Sequence, residues 1–310
     1  PLVTIAIPAY NHGRYLDQAL RSVLDQDYPQ VELIVLDDGS TDNTHEVLAR
    51  WGSRFFWEIQ ENMGQAGTLN KAWSMAQGQI LSYLSADDTL RPGCVRAAVD
   101  VLEACPDIVL TYCDFELINP HSHVIRTVRA EEFDYRKMVV DFICAPGPGV
   151  FFRRAAFERA GGWDPSLRQM PDYEYWLRLG LVGRFQRIPR TLAAFRVHEG
   201  SYTFSATPPE RAEEPVRILN KYFGLAGVPV PIRQEQDRAI SNALLISAQL
   251  HLRAGRYRAA FGCVHHAVSL FPKNLLQPRI LRQFANGLFN RLGHRLLWSV
   301  KRPRDPHSQA

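Results

Sequence analysis

The chain has 310 residues, 46% apolar and 22% charged, with a formal net charge of +4, which is ordinary for a globular protein of one sizeable domain and a smaller one. The charge is uneven: residues 273–310 hold eight Lys and Arg against one Asp, net +7, so the remainder is near −3 and is not the surface of a nucleic-acid binder. No run approaches the roughly 18 apolar residues that span a bilayer, no basic-then-apolar leader stands before the first apolar run, and five scattered Cys without a CxxC pair fit a reducing compartment. The expectation is a cytoplasmic protein.

In chain order, VTIAIPAY (3–10) reads as a buried strand, followed by a helix with Leu16, Leu20, Val23 and Leu24 on one face. VELIVLDD (31–38) is the next strand, and Ser40 or Thr41 is placed to cap the helix that Thr44 to Arg50 continues. FFWEIQ (55–60) is a strand, Leu69 to Met75 belong to a helix, and ILSYLSADD (80–88) is a strand. Pro92 and Gly93 lead into the helix CVRAAVDVLEAC (94–105), and DIVLTYCDFELI (107–118) is a further strand. Apolar strands alternating with amphipathic helices predict a three-layer α/β/α domain on a mainly parallel, mixed sheet. Ligands of such sheets bind beyond the carboxyl ends of the strands. Asn11, the Asp37–Asp38 pair and the Asp87–Asp88 pair end three of these strands and should meet on one rim.

The middle of the chain is less regular. Residues 131–144 are expected as a helix, GVFFRRAAF (149–157) as a strand running into a helix, PDYEYWLRLGL (171–181) as a helix, and TLAAFRVH (191–198) as a strand ending on His198. SYTFSATPPERAEEP (201–215) is polar and Pro-rich, a loop or boundary. Residues 241–272 read as two antiparallel helices around Ala254-Gly255-Arg256, resembling one tetratricopeptide-like hairpin but not a repeat array. The division expected is a catalytic domain over 1–205, with halves 1–115 and 116–205, a linker over 206–233, and a helical region with a basic tail over 234–310. A last helix over about 275–298 interleaves Arg279, Arg282, Arg291 and Arg295 with Leu and aromatic residues. It suits peripheral contact with anionic lipid, or packing of its apolar side on the core.

Two adjacent acids at a strand end oppose each other's ionisation, and a divalent cation with oxygen ligands relieves both. Asp87 and Asp88 are therefore candidate metal ligands; alone, the pair is equally a solvated turn. Asp37 and Asp38, before the turn-forming Gly39, can accept hydrogen bonds from a base or ribose, or can simply cap that turn. Neither GxGxxG nor GxxxxGK[ST] occurs, so neutralising a phosphate falls to something other than a glycine-rich loop, which again favours a metal.

IPAYNHGRYLDQALRSVLDQDYP, ELIVLDDGSTDNT and ENMGQAGTLNKAWSMAQGQILSYLSADDTLRP, in that order and spacing, resemble family 2 of the nucleotide-sugar glycosyltransferases. GVFFRRAAFERAGGWDPSL, PDYEYWLRL and FRVHEGSYTFS extend the resemblance over about residues 2–205. It implies a GT-A fold and single-displacement transfer with inversion, from a UDP-, GDP- or dTDP-linked sugar to a saccharide or lipid-linked saccharide. It further implies that Pro8, Ala9 and Tyr10 line the nucleobase side, that Asp37 meets the base or ribose, and that Asn11, Asp38, Asn62, Gly64, Asn70 and Lys71 belong to the donor site. Asp87 resembles the last acid of the DxD motif, with Asp88 beside it, holding Mn²⁺ or Mg²⁺ against the donor diphosphate. His198 resembles the His that closes around that metal, and Asp172 the general base. The chain departs from the family pattern at Ser85, which stands at the first acid of DxD, at Thr68-Leu69-Asn70 in place of Ala-Arg-Asn, and at Pro171 in place of an acid.

These roles have a chemical rationale. A metal stabilises the charge that grows on a departing nucleoside diphosphate, and a carboxylate takes the proton of the attacking hydroxyl. Glu174 competes with Asp172 for the base, and Asp172 also suits an N-cap. Trp176 and Leu177 read as core, and His121, His123, His265 and His266 as surface residues. With Ser85 in the first place of the motif, metal binding without donor should be weak. Two other functions remain open from the sequence: a metal-dependent nucleotidyltransferase, and a non-catalytic saccharide-binding or scaffold protein on the same fold.

Overall fold

The computed structural model describes residues 1–198 and 207–276. Its strands are β1 (Val3–Ala9), β2 (Val31–Asp37), β3 (Phe56–Ile59), β4 (Ile80–Tyr83), β5 (Thr89–Leu90), β6 (Ile108–Ile118), β7 (Val124–Val128), β8 (Phe151–Arg153) and β9 (Arg184–Arg196). They form one nine-stranded sheet in the order β3-β2-β1-β4-β8-β6-β9-β5, with β7 paired to β6. From β3 to β4 the pairing is parallel throughout. Beyond β4 it is mixed: β8 runs antiparallel to both neighbours, while β9 returns parallel to β6.

Alternation along each strand explains the three layers. Ile5, Ile7, Leu33 and Val35 face a core closed by Leu16, Leu20, Val47, Leu48, Val95 and Leu102 from the helices Gly13–Leu24, Thr44–Trp51 and Cys94–Ala104. Ala6, Ile34, Leu36 and Leu81 face the opposite core, which holds Leu69 and Trp73 of the helix Gly64–Met75 and Trp176 of the helix Pro171–Leu179. Both faces of the parallel strands are thus covered, as apolar β1 and β2 require.

Several local expectations change. The helix expected over 131–144 is confined to Tyr135–Val140: Asp134 caps it by accepting from the Lys137 N–H, and Phe142, at φ 55°, turns the chain out. Asp42, not Ser40 or Thr41, accepts from the Thr44 N–H at the start of the second helix. Leu24 is exposed, one position past the buried stripe. The strand expected over 80–88 ends at Tyr83, and residues 84–88 turn above the rim.

Within the stretch expected as a linker, Pro209–Ala212, Glu214–Phe223 and Val230–Arg233 are helical. Ile218, Leu219, Tyr222 and Phe223 enter the same core as Trp73 and Trp176. Their i, i+1, i+4, i+5 spacing is an apolar helical face, obscured in the sequence by the preceding PPERAEEP. The helices Gln236–Arg253 and Tyr257–Leu270 then form the expected hairpin around Gly255. No described helix is long and apolar enough to cross a membrane. The basic helix expected over 275–298 lies outside the described residues beyond Leu276.

Candidate active site

The parallel register brings the strand ends to one level. Ala9 pairs with Asp37 across β1 and β2, the Asp38 N–H donates to Ala9 O, and the Leu84 N–H donates to Ala6 O. A cleft of about 550 Å³ opens above this rim. Pro8, Ala9, Tyr10, Asp38, Asn62, Gly64, Ser85, Asp87, Asp88 and Asp172 all line it.

Asp87 and His198 meet because short β5 runs antiparallel to β9, pairing Thr89 with Ala194 and carrying the preceding acids alongside Arg196. His198 Nε2 lies 2.9 Å from Asp87 Oδ2, and His12 Nε2 lies 3.8 Å from the same oxygen. One ligand atom from each of His12, Asp87 and His198 falls within 4.8 Å of the others. Two imidazoles and a carboxylate suit a divalent transition cation, Mn²⁺ better than Mg²⁺. Burial pushes the Asp87 carboxyl up, but the hydrogen bond with His198 and the nearby His12 outweigh it, and the group stays below its ordinary range.

Asp88 does not join this cluster. Its Oδ1 accepts from the Arg196 N–H at 2.8 Å, and burial, then the charge of Asp87, hold its carboxyl well above the ordinary range. Arg196 is 1% exposed and ties the region together. It donates through Nε to Asp87 O, through Nη1 to Asn119 O and Ser122 Oγ, and through Nη2 to Gln18 Oε1, and it stacks 4.6 Å from the Tyr15 ring centroid.

Asp38 is a loop anchor. Its carboxylate accepts from Gln60 Nε2 and from the Met63 and Gly64 N–H groups, fixing the 60–64 turn at the cleft edge. Asp37 Oδ1 accepts from the Ser40 N–H, whereas Oδ2 is buried without a hydrogen-bond partner among the described residues. Asn11, at φ 55°, is exposed and accepts from the Thr41 and Asp42 N–H groups, so it holds the neighbouring turn.

Asp172 opens the helix Pro171–Leu179, where Pro171 supplies a favourable first residue. Its Oδ1 accepts from the Tyr173 N–H at 2.8 Å, and burial raises its pKa above the ordinary carboxylate value. Glu174, its competitor, faces the interior at 3% exposure and is bound by Arg178 and Lys221. Trp176 and Leu177 are core.

Four expected donor-site residues, Asn11, Asp37, Asn70 and Lys71, are not among those that line the cleft. Asn70 bonds both backbone groups of Trp163, and Lys71 pairs with Glu58. Conversely, His12, Arg168 and Arg196 belong to the site and were not selected from the sequence. Arg168 lies so close over Gly64, at φ +74°, that a Cβ there would stand 1.2 Å from Nη1. A His immediately after the first strand was a legible signal for His12; nothing local marked the two arginines.

A three-layer α/β/α core on a mixed sheet, with Asp38, Asp87, Asp88 and Asp172 lining one cleft, is an architecture of GT-A type. The family model for glycosyl transferase family 2 matches residues 4–161, and the chain belongs to that family. It is 30% identical over 214 residues to an uncharacterized glycosyltransferase of Rickettsia typhi, covering 66% of this chain and 67% of that one. It is also 30% identical over 192 residues to the chondroitin synthase of Pasteurella multocida, covering 61% of this chain but 20% of that protein. The fold resembles S. aureus TarS 1–349 in complex with UDP-GlcNAc, with a TM-score of 0.62 at 16% identity over 88% of this chain and 91% of that one. It likewise resembles the Pyrobaculum calidifontis mannosyltransferase PcManGT in complex with GDP-Man and Mn²⁺, with a TM-score of 0.61 at 20% identity over 97% and 88%. The chain is accordingly a glycosyltransferase using a nucleotide-diphosphate sugar, and the nucleotidyltransferase alternative is set aside.

Proposed function

We propose that the chain transfers a hexosyl group, with inversion, from a nucleotide-diphosphate donor to a hydroxyl of a saccharide or lipid-linked saccharide, with Asp172 as general base. The observation that carries this reading is that Asp172 lines the same cleft as His12 and Asp87, the latter bonded to His198. Asp172 keeps Oδ1 on its own helix and accepts the acceptor proton on its other oxygen as the C–O bond forms. Pro8, Ala9 and Tyr10 form the nucleobase side, Asp37 Oδ2 is the acceptor left for the base or ribose, and Asp38 keeps the adjoining loop in place. His12, Asp87 and His198 would hold Mn²⁺ or Mg²⁺, which when bound stabilises the negative charge growing on the departing diphosphate.

The relatives named above support a polysaccharide-related role, since one is a chondroitin synthase. All five cysteines are free, which supports a cytoplasmic setting. Peripheral membrane contact through residues 275–310 rests on the sequence alone. Liposome co-sedimentation with and without that stretch tests it, and equal lipid binding by the two forms would sink it.

The function itself is tested by incubating the protein with UDP-, GDP- and dTDP-linked hexoses, with Mn²⁺ or Mg²⁺, and following nucleoside diphosphate release without and with saccharide acceptors. Metal-dependent release from one donor class, accelerated by an acceptor, is expected. Donor binding without release under any of these conditions would instead support a non-catalytic saccharide-binding protein.

A further inference from the structure

Two loops line the same cleft as His12 and Asp87, and a buried carboxylate holds each one. Asp38 holds residues 60–64. The other loop, residues 168–170, leads directly into Pro171 and Asp172, and its anchor comes from a distant part of the chain. Glu214, on the helix Glu214–Phe223, is 1% exposed. Its Oε1 accepts from the Arg168 N–H at 2.8 Å, and its Oε2 accepts from the Gln169 and Met170 N–H groups at 2.7 and 3.0 Å. Three consecutive backbone donors converge on one carboxylate, whose only ion pair among the described residues is a 3.7 Å contact with Arg217.

A carboxylate taken out of water needs such donors to stay ionised, so these bonds are strong and directional. Their position matters more than their strength. Met170 is the N-cap residue of the helix that presents Asp172, and it makes no side-chain cap. Pro171 has a fixed φ and no N–H, so the direction in which Asp172 leaves the loop follows the backbone of residues 168–170. The same loop sends Arg168 over Gly64, closing the cleft against the Asp38-anchored turn, where Arg168 Nη1 is 3.5 Å from Met63 O.

The rest of the Glu214 helix grips the same region. Lys221 Nζ lies 2.8 Å from both Asp164 Oδ2 and Glu174 Oε1, and Arg217 Nη2 donates to Ser166 O at 3.3 Å. The helix therefore fastens the segment from Asp164 to Glu174, which supplies Leu167, Arg168, Gln169, Pro171 and Asp172 to the cleft.

We infer that Glu214 is a positioning residue for glycosyl transfer: its carboxylate sets the backbone of residues 168–170 and thereby aims Asp172 into the cleft. This rests on the reading of Asp172 as the base. It also makes the helical region after residue 207 part of the catalytic unit and not an appendage.

Glu214→Gln keeps the shape but leaves an amide NH₂ facing at least one backbone donor, and Glu214→Ala removes all three acceptors. Pro8, Ala9 and Tyr10, read as the nucleobase side, lie outside the segment that Glu214 holds, and among the described residues of that segment Arg168 alone reaches the 60–64 turn, so calorimetric Kd values for UDP, GDP and dTDP with Mn²⁺ should change far less than turnover in the folded variants. Turnover of the donor hexoses at saturation should fall about 10-fold in the Gln variant and about 100-fold in the Ala variant, because displacing a reacting group by about 1 Å has consequences of that order. Lower melting temperatures with unchanged kcat in the folded Gln variant would make Glu214 merely structural and overturn the inference. If the Ala variant does not fold, the Gln variant carries the test alone. Asp172→Asn is run beside them: full turnover in that variant refutes the base, whereas its loss together with normal kcat in Glu214→Gln refutes only the positioning role.

Discussion

Asp87 and His198 stand 111 residues apart in the chain and 2.9 Å apart in the structure, joined because two residues of β5 pair with β9. The FRVH segment runs along β6, where Ile118 pairs with Arg196 and Ile118 O accepts from the Val197 N–H, and the two-residue bridge brings Asp87 to its end. With it, one short antiparallel contact assembles most of the candidate metal centre.

His12 completes the centre from the opposite side, 3.8 Å from the same carboxylate oxygen. Chelation should abolish turnover and Mn²⁺ should restore it. In His12→Ala the Mn²⁺ concentration giving half-maximal turnover should rise at least about 10-fold, since weaker perturbations of metal sites already have effects of that size. A metal titration of turnover reads this directly, and an unchanged midpoint would remove His12 from the centre.

Arg196 holds Asp87 and its surroundings through hydrogen bonds to four acceptors while almost fully buried. Arg196→Met removes these four bonds and leaves Asp87 O unpaired among the described residues, while Asn119 O keeps the Ser122 N–H and Gln18 Oε1 keeps the Ser122 hydroxyl; it should destabilise the fold by about 2 kcal/mol in denaturant unfolding. Arg196→Lys should recover little, because an ammonium cannot reproduce the planar fork. Lysine restoring full stability would show that charge alone matters at this position.

Asp172 has a pKa raised by burial, with consequences of definite sign. The base must be ionised, so kcat/KM should fall with decreasing pH through a value above the ordinary carboxylate pKa of about 3.9. For stability, the folded state holds this proton more tightly than the unfolded chain. The contribution of Asp172 to stability is therefore greatest below the unfolded pKa and is lost as pH rises through the raised folded value. Asp172→Asn should be more stable than wild type at pH 8, with the advantage vanishing below about pH 3.9. Melting curves across that range check it; a less stable Asn variant at pH 8 would contradict the burial argument.

The strands were legible because apolar runs are local, and parallel pairing then sets Asp37 at the rim; Asp87 lies beyond β4, which ends at Tyr83, and reaches the rim through the turn before β5. The place of Asp172 at the cleft follows its motif, and telling it from Glu174 needs the structure, which turns Glu174 inward onto Arg178 and Lys221. Ser85 leads to an expectation of a sparse metal centre; His12 is placed to offer a further ligand, which the turn residues around it conceal. Asn70 and Lys71 sit in the right motif but are used for packing, Asn70 clamping Trp163 across 93 residues. Arg196 and Glu214 were illegible for a physical reason. A buried charge is defined by partners far away in sequence, and no local pattern distinguishes it from a solvated one.

The most direct test compares wild type with Asp172→Asn for calorimetric binding of the active nucleotide-sugar in Mn²⁺ and for the rate of glycosyl transfer to its acceptor. Unchanged donor affinity with transfer reduced at least about 100-fold is the predicted result, in keeping with the contribution of a positioned general base. Transfer at the wild-type rate in Asp172→Asn would contradict the account.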